Sequence, residues 1–274
     1  MRFTITLFLL GTFFVPIFSQ STISTCGGVI NTSGSTISYK LFDLISKNER
    51  CVWTVRVANA ATYTLNVVRM GSWDGREVTG ACISIDSEGK TEVYQYGILD
   101  SKGPKELRNP CHILVITLYS GEETSDGKGF SMRITATTGS SRVSSNSRQM
   151  VVNHEEGAIQ HPPTGRSEYS DNEISTFIFI PPTNFYNSKR VTLVTFVMNS
   201  LEGTSCYDYV LVYKLRTKDR DSSWEGSQSK DVDKICGDTS YKLWASDDVI
   251  MVIFRSDGSN SNAGFSILHA DLPM

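Results

Sequence analysis

Six cysteines carry the clearest chemistry in this chain: Cys26, Cys51, Cys82 and Cys111 in the first half, Cys206 and Cys236 in the second. An even count without Cys-x-x-Cys spacing argues against zinc or thioredoxin-like redox chemistry. It favours disulfides formed in an oxidising compartment. Six cysteines can pair in many ways, so the count alone leaves the connectivity open. The four histidines, His112, His154, His161 and His269, form no His-Glu-x-x-His pair, and no Gly-x-Ser-x-Gly elbow or phosphate-binding loop occurs. His112 adjoins Cys111 and His161 precedes two prolines, placements that a loop or strand edge explains. The sequence therefore predicts no catalytic residue and no enzyme. Trp73-Asp74-Gly75-Arg76-Glu77 and Trp224-Glu225 place aromatics in polar loops, where tryptophan can act as a contact residue.

The elements that must position these residues read as strands. Arg2 followed by the apolar run Leu7–Phe18, with Ser19 at its end, predicts a cleaved export signal over residues 1–19. The run is short for a bilayer span, so a secreted, extracellular protein without membrane insertion is expected. The chain has 274 residues, 39% of them hydrophobic and 10% aromatic, with a net charge of −3. No stripe of Lys and Arg interleaves with aromatics, which argues against nucleic acid as a partner. Cys51–Val57, Tyr63–Val68, Ile113–Leu118 and Phe130–Thr135 are short and rich in β-branched or aromatic residues. The same texture recurs at Ser175–Ile180, Val191–Met198, Tyr209–Lys214, Val249–Arg255 and Phe265–Leu268. No stretch sustains a helical period, so the fold class is all-β, two antiparallel β-sandwich domains. Thr137–Gln149, with Val143 as its one apolar residue, reads as an exposed Ser/Gly-rich linker. It separates a first domain at 26–137 from a second at 150–272, with the linker itself at 138–149. Asn31-Thr32-Ser33 is a glycosylation sequon in a polar stretch.

The two halves repeat each other. Cys26-Gly27-Gly28-Val29-Ile30 is echoed by Glu155-Glu156-Gly157-Ala158-Ile159, and Cys51-Val52-Trp53-Thr54-Val55 by Ser175-Thr176-Phe177-Ile178-Phe179. Ile113–Leu118 and Gly129-Phe130 recur as Val249–Phe254 and Gly264-Phe265. Glu155 and Ser175 then replace two cysteines together, as a bonded pair would be lost. This supports Cys26–Cys51, and hence Cys82–Cys111 and Cys206–Cys236. Closing loops of that length contributes about 3.5 kcal/mol each in the chain-entropy model.

These residues resemble the CUB domain family. Its pattern runs Cys-Gly-Gly, Cys-x-Trp-x-Ile, Leu-x-Phe ending in Glu, Cys-x-x-Asp-Tyr, Cys-Gly, and Phe-x-Ser-Asp-x-Ser before Gly-Phe. The first half carries Cys26-Gly27-Gly28, Cys51-Val52-Trp53-Thr54-Val55, Cys82 and Cys111. The second carries Val194-Thr195-Phe196, Glu202, Cys206-Tyr207-Asp208-Tyr209-Val210, Ile235-Cys236-Gly237, Phe254-Arg255-Ser256-Asp257-Gly258-Ser259 and Gly264-Phe265. The resemblance implies CUB-like jelly-roll sandwiches and a role in extracellular recognition. Proteins built from such modules act in complement, in matrix and in receptor assemblies, and many nematode examples are linked to defence against microbes.

One subset of the family binds calcium through a Glu before the third cysteine, an Asp after it and the Asp of the Ser-Asp-x-Ser turn. The resemblance places these at Glu202, Asp208 and Asp257, a metal site confined to the second domain, where three carboxylates suit a hard cation. Arg166, Lys214 and Arg255 are expected to flank that end. In the first domain Trp73, Ser84 and Gly121 fall at the corresponding positions, and Asp86 and Glu122 are out of register, so no calcium is expected there. The expectation is a secreted, non-catalytic protein that binds an extracellular protein or glycan, in host defence or matrix and surface recognition. The alternative is a soluble regulatory subunit that clusters or modulates a receptor or protease complex. The ligand's identity and the oligomeric state stay open.

Overall fold

The computed structural model describes residues 21–273 apart from 71–76, 86–89, 99–102, 108–109, 121–127, 140–142, 154–155, 183–189, 202–205, 216–226, 229–231, 238–241 and 247. Its regular elements are all strands. The first half supplies β1 (Thr22–Ile23), β2 (Gly28–Ile30), β3 (Ser35–Leu44), β4 (Arg50–Val55), β5 (Ala60–Met70), β6 (Glu77–Ile85), β7 (Thr91–Gly97), β8 (Gly103–Glu106), β9 (Ile113–Tyr119) and β10 (Lys128–Thr138). The second supplies β11 (Gln149–Asn153), β12 (Gly157–His161), β13 (Ile174–Ile180), β14 (Arg190–Ser200), β15 (Tyr209–Leu215), β16 (Ser227–Gln228), β17 (Val232–Ile235), β18 (Lys242–Ser246), β19 (Val249–Arg255) and β20 (Gly264–Pro273). No helix among the described residues is long and apolar enough to cross a membrane.

Each half is a sandwich of two mainly antiparallel sheets. The first packs β1-β3-β10-β5-β8 against β7-β6-β9-β4-β2, and the second packs β11-β13-β19-β15-β17 against β12-β20-β14-β18. Trp53, Tyr63, Leu65, Leu114, Ile116 and Phe130 fill the first core, with Tyr39 and Phe130 edge-on to the Trp53 ring. Phe177, Phe179, Phe196, Phe254 and Phe265 fill the second. The disulfides are Cys26–Cys51, Cys82–Cys111 and Cys206–Cys236, the pairing inferred from the repeat.

Period-two alternation explains the outer strands: Ser35, Ile37 and Tyr39 of β3 point inward and their neighbours outward. It fails on β9, β13 and β19, where every residue but Tyr119 is buried. The reason is a third apolar layer between the two sandwiches. Among the described residues it takes Val52, Ala81, Ile83, Val93, Ile113 and Val115 from the first half. From the second it takes Ile174, Ile178, Ile180, Tyr209, Leu211, Tyr213, Leu215, Val249, Met251 and Ile253. Inner sheets covered on both faces need continuous apolar runs, as strands of buried sheets do. Polar contacts fix the seam. The Tyr209 hydroxyl lies 3.2 Å from Thr91 Oγ1, and β16 adds across it to β7 through Ser227 and Gln228.

The connecting segment is not simply exposed, as its composition suggested. Ser147 is buried and its hydroxyl accepts the Ile174 N–H at 2.9 Å. The Arg56 guanidinium, from the first half, donates to the Ser147 carbonyl at 2.6 Å and the Ser144 carbonyl at 2.5 Å. Arg56 thereby gives the Ser147 carbonyl a partner and joins the Ser147 hydroxyl on the Ser144 carbonyl.

The repeat also has a different register at its start. β2 runs parallel to β4 with Gly28 opposite Trp53, and β11 runs parallel to β13 with Met150 opposite Phe177. Two residues earlier, Cys26 faces Cys51 and Arg148 faces Ser175. Arg148, not Glu155, therefore stands where the first half has Cys26, and its backbone N–H donates to the Ser175 hydroxyl at 2.7 Å. The segment Gly157-Ala158-Ile159 belongs to β12, which pairs with β20 as β3 pairs with β10.

Candidate functional site

The site expected from sequence lies where β15 begins and β19 ends, a place fixed by Tyr209 standing opposite Arg255 in the ladder. Cys206 sits just before β15 in the left-handed region at φ 57°, a conformation disfavoured for a side chain with a Cβ, and its bond to Cys236 ties that turn down. Asp208 follows, fully buried. Its Oδ1 accepts the Asp257 backbone N–H at 2.7 Å, and its Oδ2 accepts the Tyr169 hydroxyl. Asp257, just past β19, is partly exposed, and its Oδ1 accepts the Ser259 N–H at 2.8 Å. The structure thus brings Asp208 and Asp257 together. Glu202 lies outside the described residues, and among those described no group of three His, Cys, Asp or Glu converges to hold a metal.

Arg255 is the cation of this end. It is 8% exposed, and burial lowers its pKa, partly offset by Tyr209, Asp208 and Asp257. Among the described residues its Nε and Nη1 are buried without a hydrogen-bond partner, and Tyr209, Asp208 and Asp257 act on its charge through space. Two carboxylates against one guanidinium leave one negative charge. Carboxylate oxygens are the donors a hard cation takes, and Asp208 and Asp257 are the described residues that could hold one.

Sequence reasoning missed the support beneath these aspartates. The loop from His161 to Ile174 folds under them: Tyr169 N–H donates to the Asn262 carbonyl at 3.1 Å, and Asn172 N–H to the Asp257 carbonyl at 2.5 Å. Glu173 anchors the loop. It is fully buried, accepts from Ser175 Oγ at 2.5 Å and Ser170 N–H at 3.0 Å, and lies 3.1 Å from His161 Nε2. Burial alone would raise its pKa; His161, Ser175 and Ser170 outweigh that and hold it below the usual range. His161 is not a loop histidine. It ends β12 fully buried, its ring 4.8 Å from Phe254 and 5.2 Å from Phe265. The signal was an acid two residues before Ser175, at the start of a strand that continues as the apolar run Phe177–Ile180.

Other expected residues separate. Arg166 lies in the supporting loop, donating to Ser170 Oγ at 2.5 Å. Lys214 stands opposite Ile250, at the far end of β15, roughly 16 Å along the strand from Tyr209. In the first half Ser84 is a buried β6 residue, while Trp73, Asp86, Gly121 and Glu122 lie outside the described residues, as do His154, Glu155 and Trp224. His112 accepts the Ile85 N–H at 3.2 Å through Nδ1, and burial lowers its pKa. His269 packs on Phe179 at 5.4 Å. Asn31, in the sequon, is exposed.

No protein-family model matches the chain, and no curated protein matches it. Among solved structures it is similar to the CUB1-EGF-CUB2 domains of human MASP-1/3, at 12% identity over 88% of this chain and 100% of that one, TM-score 0.34. It is also similar to the CUB1-EGF-CUB2 domains of rat MASP-1, at 13% identity over 89% and 99%, TM-score 0.31. A third likeness is the extracellular region of zebrafish Gpr126/Adgrg6, at 10% identity over 92% of this chain and 37% of that one, TM-score 0.31.

Proposed function

We propose that this chain is a secreted, non-catalytic binding protein that recognises an extracellular protein or glycan at the Asp208–Asp257 end of its second sandwich. The observation that carries the reading is the pair of carboxylates held beside one guanidinium. Asp208 is fixed by Tyr169 and by the Asp257 backbone, so Asp257 is presented at the surface in one place. Calcium is the cofactor of this reading, held by Asp208, Asp257 and Glu202. With Glu202 the three carboxylates exceed Arg255 by two charges, which suits a divalent cation. A basic group of the ligand would then meet the Asp257 carboxylate, which is partly exposed.

Support for a non-catalytic role comes from the histidines. Among the described residues, His161 is enclosed by phenyl rings, and His112 and His269 are engaged in strand packing. Three disulfides support an extracellular setting.

Thermal unfolding of the mature protein in calcium and in chelator tests the cofactor. Binding to the native state alone raises stability by about 2.7 kcal/mol at a hundredfold excess over the dissociation constant. The midpoint should rise with calcium in the wild type and stay flat in Asp257→Asn. A wild-type midpoint indifferent to calcium would overturn the calcium site.

A further inference from the structure

The two sandwiches treat one equivalent sheet edge differently. In the first, β1 adds in parallel to β3, with Thr22 opposite Thr36 and Ile23 opposite Ile37, and the Thr36 N–H donates to the Ser21 carbonyl at 2.9 Å. Ile23 packs there against the first core. In the second, β12 holds the place of β3, since His161 faces Phe265 as Tyr39 faces Phe130. Thr36 and Ile37 therefore correspond to Ala158 and Ile159. Among the described residues β12 has β20 as its only sheet neighbour. Ala158 and Gln160 are exposed, and β12 carries none of the charges, prolines or bulges that protect natural edges.

A groove of about 410 Å³ opens along this edge, lined by Arg148, Met150, Ile159, Gln160, Pro163 and Thr164 among others. It lies where β1 lies in the first half. Arg148 is its charged residue: Nη1 donates to the Gln160 carbonyl at 2.8 Å, so that carbonyl faces the free edge. N–H and C=O of one strand residue point the same way and alternate along the strand. The Gln160 N–H and both backbone groups of Ala158 therefore face the edge as well.

We propose that the β12 edge is a strand-addition site for an extended segment of a partner protein, running parallel to β12. The segment carries a β-branched apolar residue opposite Ile159 and an acidic side chain two residues later. In the register that β1 takes on β3, the apolar residue holds the place of Ile23 and enters the groove beside Met150 and Pro163. Side chains two apart share a face, so the acid points the same way, opposite His161, toward Arg148. Charge complementarity selects the acid, because Arg148 is the one charged side chain among the described residues lining the groove, with the buried Glu173 carboxylate behind it. This site goes beyond the calcium-dependent reading and does not rest on it.

The probe is a synthetic Ser-Thr-Ile-Ser-Asp peptide, the chain's own Ser21–Thr25 with Asp in the last place, titrated in chelator against the mature protein. Backbone amide shifts by NMR should saturate and cluster on 157–161. Replacing the peptide's Asp by Lys should weaken binding about tenfold, and Arg148→Gln, checked for folding by circular dichroism, should erase that difference. N-methylation of the peptide Ile removes the N–H that a parallel ladder gives to the Ala158 carbonyl, and should weaken binding at least about fivefold. Shifts absent from 157–161, or equal affinity for the Asp, Lys and N-methylated peptides, would overturn the proposal, and neither outcome depends on a protein variant folding.

Discussion

Truncating Met251 tests whether the two sandwiches behave as one body. Met251 is fully buried, stands opposite Ile178 on one side and Tyr213 on the other, and belongs to the seam rather than to either sandwich core. Met251→Ala leaves a cavity among residues of both halves, and buried Met-to-Ala changes cost about 2–5 kcal/mol. A loss of about 3 kcal/mol in a chain of this size moves the midpoint by roughly 6–12 °C. Calorimetry should show one transition in the wild type and one, shifted, in the variant. Hydrogen exchange should show faster opening of β4 and β9 in the first half, although the substitution is in the second. Two wild-type transitions, only the later of which moves, would refute the argument. So would β4 and β9 amides whose protection is unchanged.

Asp208→Ala leaves the Tyr169 hydroxyl and the Asp257 N–H without their acceptor and Arg255 with one carboxylate fewer. Denaturant melts should show a loss of about 3 kcal/mol, and Asp208→Asn a smaller one. Glu173 ionises more readily in the folded state than in the unfolded one. It therefore stabilises the fold above the ordinary glutamate range, near pH 4.3, and that stability is lost as pH falls through its lower folded value. Stability measured against pH should drop on the acid side in the wild type and be flatter there in Glu173→Gln. Arg148→Cys with Ser175→Cys copies the first half's Cys26–Cys51 register. It should close a disulfide worth up to about 3.5 kcal/mol, read as absent free thiols and a raised midpoint.

The sequence was legible wherever a residue's neighbours in the chain decide its state. Alternation and β-branching marked the long core strands, and the Cys206–Asp208 and Ser256–Ser259 segments marked the two aspartates that the fold brings together. The seam was legible in part. Runs such as Ile113–Leu118 and Val249–Phe254 have no polar face at all, which means burial on both sides; read only as strands, they hid the contact between the halves. Ser175 was recognised as a lost cysteine because strand texture fixes its register. Its partner was not, because the glycines of Gly27-Gly28 and Gly157 aligned by type while the parallel ladder aligned Gly28 with Met150. The role of Tyr169, Glu173 and His161 depends on a loop folding under a distant strand end. No local pattern encodes that contact, and only the buried acid at Glu173 hinted at it.

Recognition is proposed at the Asp208–Asp257 end. Its most direct test is capture of partners from native extracellular and membrane extract by the mature protein, in calcium and in chelator, beside Asp257→Ala. Partners should be retained by wild type in calcium and released by chelator, and none of them should be retained by Asp257→Ala. Partners held equally in chelator and by Asp257→Ala would contradict it and place recognition elsewhere on the molecule.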